Sequence, residues 1–239
     1  MTQSPPIGTG LPLIDGLQSL ERPTIEDYAG AAAQYIREAS RIGPGPGKAA
    51  QVRLSKALAQ AALGDLRDRG VALSHAVAGE RNVGGGLRSA QADLSEVTHL
   101  DGLTLAVEIK PVHLAVGRAI WNRFGDIRTF AVNIHLKFPF AVVGGIMTLP
   151  TAERARSGSD SEWKPTTHLV TRAVDRLIRA GGRETEGDAA HLLEGIAVLV
   201  FDHVSGRIND AVPPPGSNLR WPEFIANLAT AHNARFGDI

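Results

Sequence analysis

The sequence predicts an α/β (α+β) protein with a central mixed β-sheet flanked by helices. Three observations carry that class. Several segments repeat apolar residues at helical spacing. Residues 103–110 instead alternate with a period of two, and an Asp101-Gly102 turn, a strong hairpin signal, joins them to the strand before. Two short and almost wholly apolar runs, 138–149 and 196–201, fit strands covered on both faces.

Taken in order, the first twenty or so residues, rich in Pro, Gly and Ser, read as a loose arm. Thr24 is a good N-cap for a helix carrying Ile25, Tyr28, Ala32, Tyr35 and Ile36, with Glu26 and Asp27 in its first turn. That helix is expected to end near Ile42, before Gly43-Pro44-Gly45-Pro46-Gly47. A second helix is expected over 48–69, with Val52, Leu54, Leu58, Ala62 and Leu66 as its buried stripe and Gly70 closing it. Val71, Leu73 and Ala76 suggest a short strand, and Gly84-Gly85-Gly86 a flexible loop. The hairpin strands are 88–97 and 103–112. In the second, Leu103, Leu105, Val107 and Ile109 share one face, and Thr104, Ala106, Glu108 and Lys110 the other; Pro111 ends its ladder.

Residues 114–136 follow as a helix with Val116, Ala119, Ile120, Phe124, Ile127, Phe130 and Ile134 as its stripe and Gly125 as a candidate break. The segment 151–165 reads as a loop, 166–179 and 188–193 as helices, and 213–216 as a rigid loop. A last helix covers 221–234. The whole is expected to form one domain over 1–239: an arm and helices over 1–70, a core over 71–149, and a strand with helices over 150–239 completing it.

The 239 residues balance 25 Lys and Arg against 25 Asp and Glu, with 43% hydrophobic and 21% charged residues, the composition of a globular protein. With no cysteine, disulfides, Cys-ligated zinc, iron–sulfur clusters and thiol catalysis are excluded. The longest apolar run, 130–150, is interrupted by His135, Lys137 and two prolines and is not expected to span a bilayer. The opening MTQSPPIGTG lacks the basic and apolar regions of a secretory signal, so a cytoplasmic location is expected. A neutral chain that binds nucleic acid needs a local basic surface.

The sharpest chemical feature is Asp93 on the first hairpin strand, followed fifteen residues later by Glu108-Ile109-Lys110 on the second. Period two sets Glu108 and Lys110 on one face, and antiparallel pairing brings Asp93 beside them. Two adjacent carboxylates repel, a hard divalent cation relieves that repulsion, and a neighbouring lysine can orient a water or offset charge on a phosphate. The bland alternative is a cross-strand ion pair on a solvated face. Asp101 is a rival first carboxylate, disfavoured because its turn position points away from the sheet centre. Glu80 is a further acid from the preceding segment.

This pattern resembles the PD-(D/E)XK nuclease superfamily, over residues 71–149: a hairpin bearing Asp and then (Asp/Glu)-x-Lys, a helix, and a further strand. One departure is Ala92, where the family pattern has proline before the aspartate. The resemblance implies a restriction-endonuclease-like core in which Asp93, Glu108 and the Ile109 carbonyl hold Mg²⁺ (Mn²⁺ substituting) and Lys110 positions the attacking water. It implies an endodeoxyribonuclease on double-stranded DNA, similar to type II restriction enzymes and acting as a homodimer. The alternatives are a repair, recombination or transposition nuclease, or an inactive DNA-binding module of the same fold. The helix over 114–136 lacks the Gln-x-x-x-Tyr element of recombination exonucleases resembling the bacterial RecB nuclease domain.

The local basic surface expected for DNA comprises Arg88, Arg118, Asn122, Arg123 and Arg128, near Lys110 and Lys137. Base-reading candidates lie in the 151–165 and 204–220 loops, at Arg154, Arg156, Arg207, Asn209 and Asn218. The Gly84–Gly86 stretch reads either as a place for close backbone approach or as a plain connector. Residues 43–48 are no Walker loop, because Ile42 and Ala49 stand where Gly and Ser or Thr are needed. Asp202-His203, Trp163 and Trp221 read as strand-end and packing residues ahead of any site.

Overall fold

The chain's helices and strands assemble around one mixed sheet, seen in a computed structural model that describes residues 8–154 and 162–237. The first described stretch is not a loose arm. It folds as α1 (Pro12–Gly16) and a 3₁₀ turn (Leu17–Ser19), with Leu11, Ile14 and Leu17 buried. Their three-residue spacing is helical, a signal that the Pro and Gly content masks.

The next helix, α2 (Ile25–Glu38), opens as expected. Asp27 N donates to Thr24 Oγ1 at 3.2 Å and Thr24 N to Asp27 Oδ2 at 2.9 Å, a reciprocal cap. It stops at Glu38, short of Ile42. The following α3 (Pro44–Asp68) begins four residues before the predicted start. Pro44 and Pro46 lie in its first turn, where a missing N–H leaves no helical bond unmade, so the Gly-Pro repeat opens the second helix, the first having already stopped at Glu38. Val52 is exposed, while Leu54, Leu58, Ala62 and Leu66 are buried as expected.

Residues 71–76 are irregular, and the strand comes after them as β1 (Val77–Val83). The predicted hairpin is present as β2 (Ala90–Thr98) and β3 (Gly102–Pro111), with Gly102 at φ 72° in the turn. Helix α4 (Val116–His135) runs unbroken through Gly125 and returns the chain to β4 (Val142–Pro150). A short antiparallel ribbon, β5 (Ala152–Arg154) with β6 (Trp163–Pro165), occupies the expected loop. Then come α5 (Thr167–Leu177) with a 3₁₀ turn (Ile178–Ala180), β7 (Gly195–Phe201) and α6 (Trp221–Phe236). No helix forms over 188–193. There the Asp188 carboxylate accepts from Glu184 N and Thr185 N, and the Asp188 and Glu186 carbonyls accept from the Arg183 guanidinium, which ties the segment into turns.

The sheet order is β1-β2-β3-β4-β7, antiparallel through the first three strands and parallel through the last three. Leu94, Leu105, Val107, Ile146 and Phe201 pack on one face against α1, α2, α3 and α6. Ala106, Val143, Met147 and Val198 pack on the other against α4 and α5. Two adjacent glycines of β4 let helices approach from both sides. A Cβ on Gly144 would lie 3.0 Å from Leu228 of α6, and one on Gly145 2.7 Å from Ile127 of α4. Gly145 pairs with Glu108, so α4 descends onto the sheet beside that carboxylate.

Candidate active site

The site forms where the hairpin comes apart. The β2–β3 ladder runs from Thr98↔Gly102 to Leu94↔Val107. One step further Asp93 faces Glu108, and at the second step Ile109 N donates to the Asp93 side chain, at Oδ2, with a length of 2.7 Å. An extended residue points its N–H and C=O the same way, so the Ile109 carbonyl faces the same gap. On the other side β1 breaks register between Ala78 and Arg81, with Gly79 at φ 131°, a bulge that turns Glu80 toward the gap.

Asp93, Glu108, Ile109, Lys110, Glu80 and Arg88 line a cleft of about 570 Å³. Its other wall belongs to α4, through Asp126, Thr129, Phe130 and Asn133, and Ser55 of α3 reaches it too. Lys110 Nζ is paired with Glu108 Oε1. Asp93 is only 9% exposed and Glu108 7%, so the solvated-ion-pair alternative does not hold. Burial dominates their titration. It pushes Asp93 up to about 6, against the lowering effects of the Ile109 N–H and Lys110, with Glu80 adding to the rise. It pushes Glu108 up to about 7, against Lys110, with Asp93 and Asp126 adding repulsion.

The donor set fits a hard divalent cation: two carboxylates and a carbonyl converge, and both carboxylates are in a state that a cation would relieve. Among the described residues no group of three or more His, Asp or Glu is placed to hold a metal ion, so an ion here would rest on the two carboxylates, the carbonyl and water. Mg²⁺ characteristically takes one or two carboxylates and keeps several waters.

The structure separates the two rival aspartates. Asp101 lies at the hairpin turn, at the other end of the ladder from Asp93, bonded to Thr98 through Thr98 Oγ1 at 3.1 Å. Of the expected DNA-contacting residues, Arg88 lines the cleft. Arg123 lines a smaller adjoining pocket with Lys48, Gln51 and Lys110, and pairs with Asp126 at 3.0 Å. Arg118, Asn122 and Arg123 line the next groove along α4. Arg128 stands apart from all of these, over the Phe124 ring at 5.7 Å. Arg154 donates to the Arg37 carbonyl, Asn209 accepts from Ala211 N, and neither they nor Arg207 and Asn218 line the cleft. Arg156 lies outside the described residues.

His203 stacks on Trp163 and bonds Thr151 Oγ1, Asp202 caps the turn at Val204 and Ser205, and buried Trp221 donates to Asp65; these residues anchor packing. Behind Lys110, buried His113 bonds Tyr28 at 2.8 Å, and burial holds its imidazole neutral with a pKa of about 4. Sequence reasoning missed Asp126, Thr129 and Asn133 as cleft residues. Their signal was available: a polar row at helical spacing beside the apolar stripe of α4.

Comparison with known proteins finds no family model that matches this chain, and no similar curated protein or solved structure.

Proposed function

We propose that this chain is a Mg²⁺-dependent endodeoxyribonuclease that hydrolyses phosphodiester bonds of double-stranded DNA, resembling a sequence-specific type II restriction endonuclease of the PD-(D/E)XK class. The observation that carries the reading is the parted hairpin, in which Asp93, bonded to the Ile109 amide, meets the Glu108–Lys110 pair in a buried, open-mouthed cleft. Asp93, Glu108 and the Ile109 carbonyl would hold the ion. When bound, Mg²⁺ supplies a Lewis acid for a phosphoryl oxygen and positive charge for a cleft rich in carboxylates.

The chain's own residues supply the rest. Lys110 orients the water that attacks phosphorus as the bond to the leaving oxygen breaks, and its ammonium offsets charge on the phosphate. The grooves along α4 that carry Arg118, Asn122 and Arg123 continue from the cleft and suit a phosphate backbone. Cutting both strands calls for two such sites, hence a homodimer, and the substrate would be met in the cytoplasm.

The test is purified protein with supercoiled plasmid and Mg²⁺ or Mn²⁺. Discrete linear fragments support the restriction reading. Nicking or diffuse degradation points to a repair or recombination nuclease. Binding without cleavage in either metal refutes catalysis and leaves a binding module.

A further inference from the structure

The rim of the cleft holds a device that the proposed chemistry does not by itself require. The segment from Gly84 to Arg88 leads into β2, and Asn133 of α4, 3% exposed, grips it. Asn133 Oδ1 accepts from Leu87 N at 2.8 Å and Arg88 N at 3.2 Å, while Nδ2 donates to the Arg88 carbonyl at 2.8 Å. Its backbone carbonyl accepts from Gly86 N at 2.7 Å. Two of the three glycines make this grip possible. A Cβ would come within 2.3 Å of Asn133 Nδ2 at Gly85 and 2.5 Å of Leu136 Cβ at Gly86, whereas at Gly84 it would meet only the movable end of Lys137. The segment is therefore a fitted strap, neither a flexible connector nor an open approach for DNA. A buried amide bonded to both backbone groups of one residue immobilises that residue, and the residue is Arg88.

Arg88 and Lys110 are the two cations lining the cleft. Lys110 is committed to Glu108, whereas the Arg88 guanidinium has no ion-pair partner among the described residues. The geometry points to Arg88 as the phosphate-binding group of the cleft, taking a non-bridging oxygen of the DNA backbone, with Asn133 as the residue that positions it. This inference rests on the nuclease reading.

The test measures binding of a labelled DNA duplex by fluorescence anisotropy over a range of salt, with Ca²⁺ in place of Mg²⁺, alongside plasmid cleavage in Mg²⁺. Arg88→Ala is expected to weaken binding roughly ten- to a hundredfold and to lower the slope of log Kd against log salt by about one. Gly85→Ala, whose Cβ pushes the strap off Asn133, gives the same signature with Arg88 still present. The two changes together are no weaker than Arg88→Ala alone. Asn133→Leu, which removes the side-chain bonds to Leu87 and Arg88 without adding charge, gives the Gly85→Ala signature; it takes over the cycle if Gly85→Ala fails to unfold cooperatively. An unchanged salt slope in Arg88→Ala, or additive losses in the double variant, overturns the inference. If the wild type cuts DNA and the variants behave like it, this inference alone falls. If the wild type neither binds nor cuts, the nuclease reading falls and takes the inference with it.

Discussion

Replacing Asp93 by asparagine tests the site without any assay of activity. Asp93 is 9% exposed, and burial raises its carboxyl from the ordinary carboxylate range to about 6. Between pH 4 and pH 6 the folded chain therefore holds a proton that the unfolded chain has released. Stability falls as the pH rises through that window and stays at the lower level above it. That rise in pKa corresponds to at most roughly 3 kcal/mol of lost stability. The asparagine side chain keeps an oxygen for the Ile109 N–H and carries no charge. Asp93→Asn should match wild type only at or below about pH 4, lead it by roughly half the full gain at pH 5, and gain about 1–3 kcal/mol at pH 8, roughly 5 °C in melting temperature for a chain of this length. His113, held neutral by burial with a pKa of about 4, contributes the opposite slope in both chains, so the difference between the two melting curves is the quantity to read. Added Mg²⁺ should raise the melting temperature of wild type and much less that of Asp93→Asn, because binding to the native state alone stabilises it. A variant less stable than wild type at pH 8, or a difference that does not grow with pH, would refute the claim that desolvation of the carboxylate dominates this site.

Lys110→Ala should abolish plasmid cleavage, a loss of at least about a hundredfold, with the melting transition and most DNA affinity retained; cleavage at the wild-type rate removes Lys110 from the mechanism. Asp101→Ala should cut like wild type, its cost limited to the Thr98 turn bonds, and lost cleavage would reinstate it as the first carboxylate. The cleavage rate in limiting Mg²⁺ should climb from pH 6 to pH 8 as Asp93 and then Glu108 release the protons that compete with the ion; a flat profile across that range contradicts the raised carboxyls.

Much of the fold is legible in local pattern. The hairpin follows from the Asp101-Gly102 turn and the alternation after it, and Thr24 with Asp27 announces its own cap. What local pattern does not carry is what tertiary contact decides. Val52 is a different case, decided by helix geometry itself: two residues before Leu54 it lies about 200° around α3, and it is exposed while Ala50 and Leu54 in the same turn are buried. The segment 188–193 reads as a helix until Asp188 and Arg183 draw its neighbouring backbone groups into turns. The acids and lysine of the candidate site are visible as residue types at a spacing. Their burial is not, since it depends on α4 settling over Gly145. The polar row of α4 marks Asn133 as a cleft residue but tells nothing of its partners, which lie some 45 positions back in the chain.

The features that build the cleft are departures from regular sheet, and each leaves a backbone or charged group that something else must satisfy. Parting β2 from β3 frees the Ile109 amide, which Asp93 takes up at the cost of its own burial. The bulge in β1 brings Glu80 closer and makes Asp93 harder to ionise. The descent of α4 over Gly145 removes water from Glu108 and adds Asp126. Four carboxyl groups then line the cleft against two cations, one of them committed to Glu108. Such a cleft repels a phosphodiester unless positive charge is added, and on the proposed reading that charge would come from an ion between Asp93 and Glu108 and from the Arg88 guanidinium, which has no ion-pair partner among the described residues. The same excess of acid that makes the folded site costly would, on that reading, favour a dication there, so the instability and the proposed chemistry would share one physical origin.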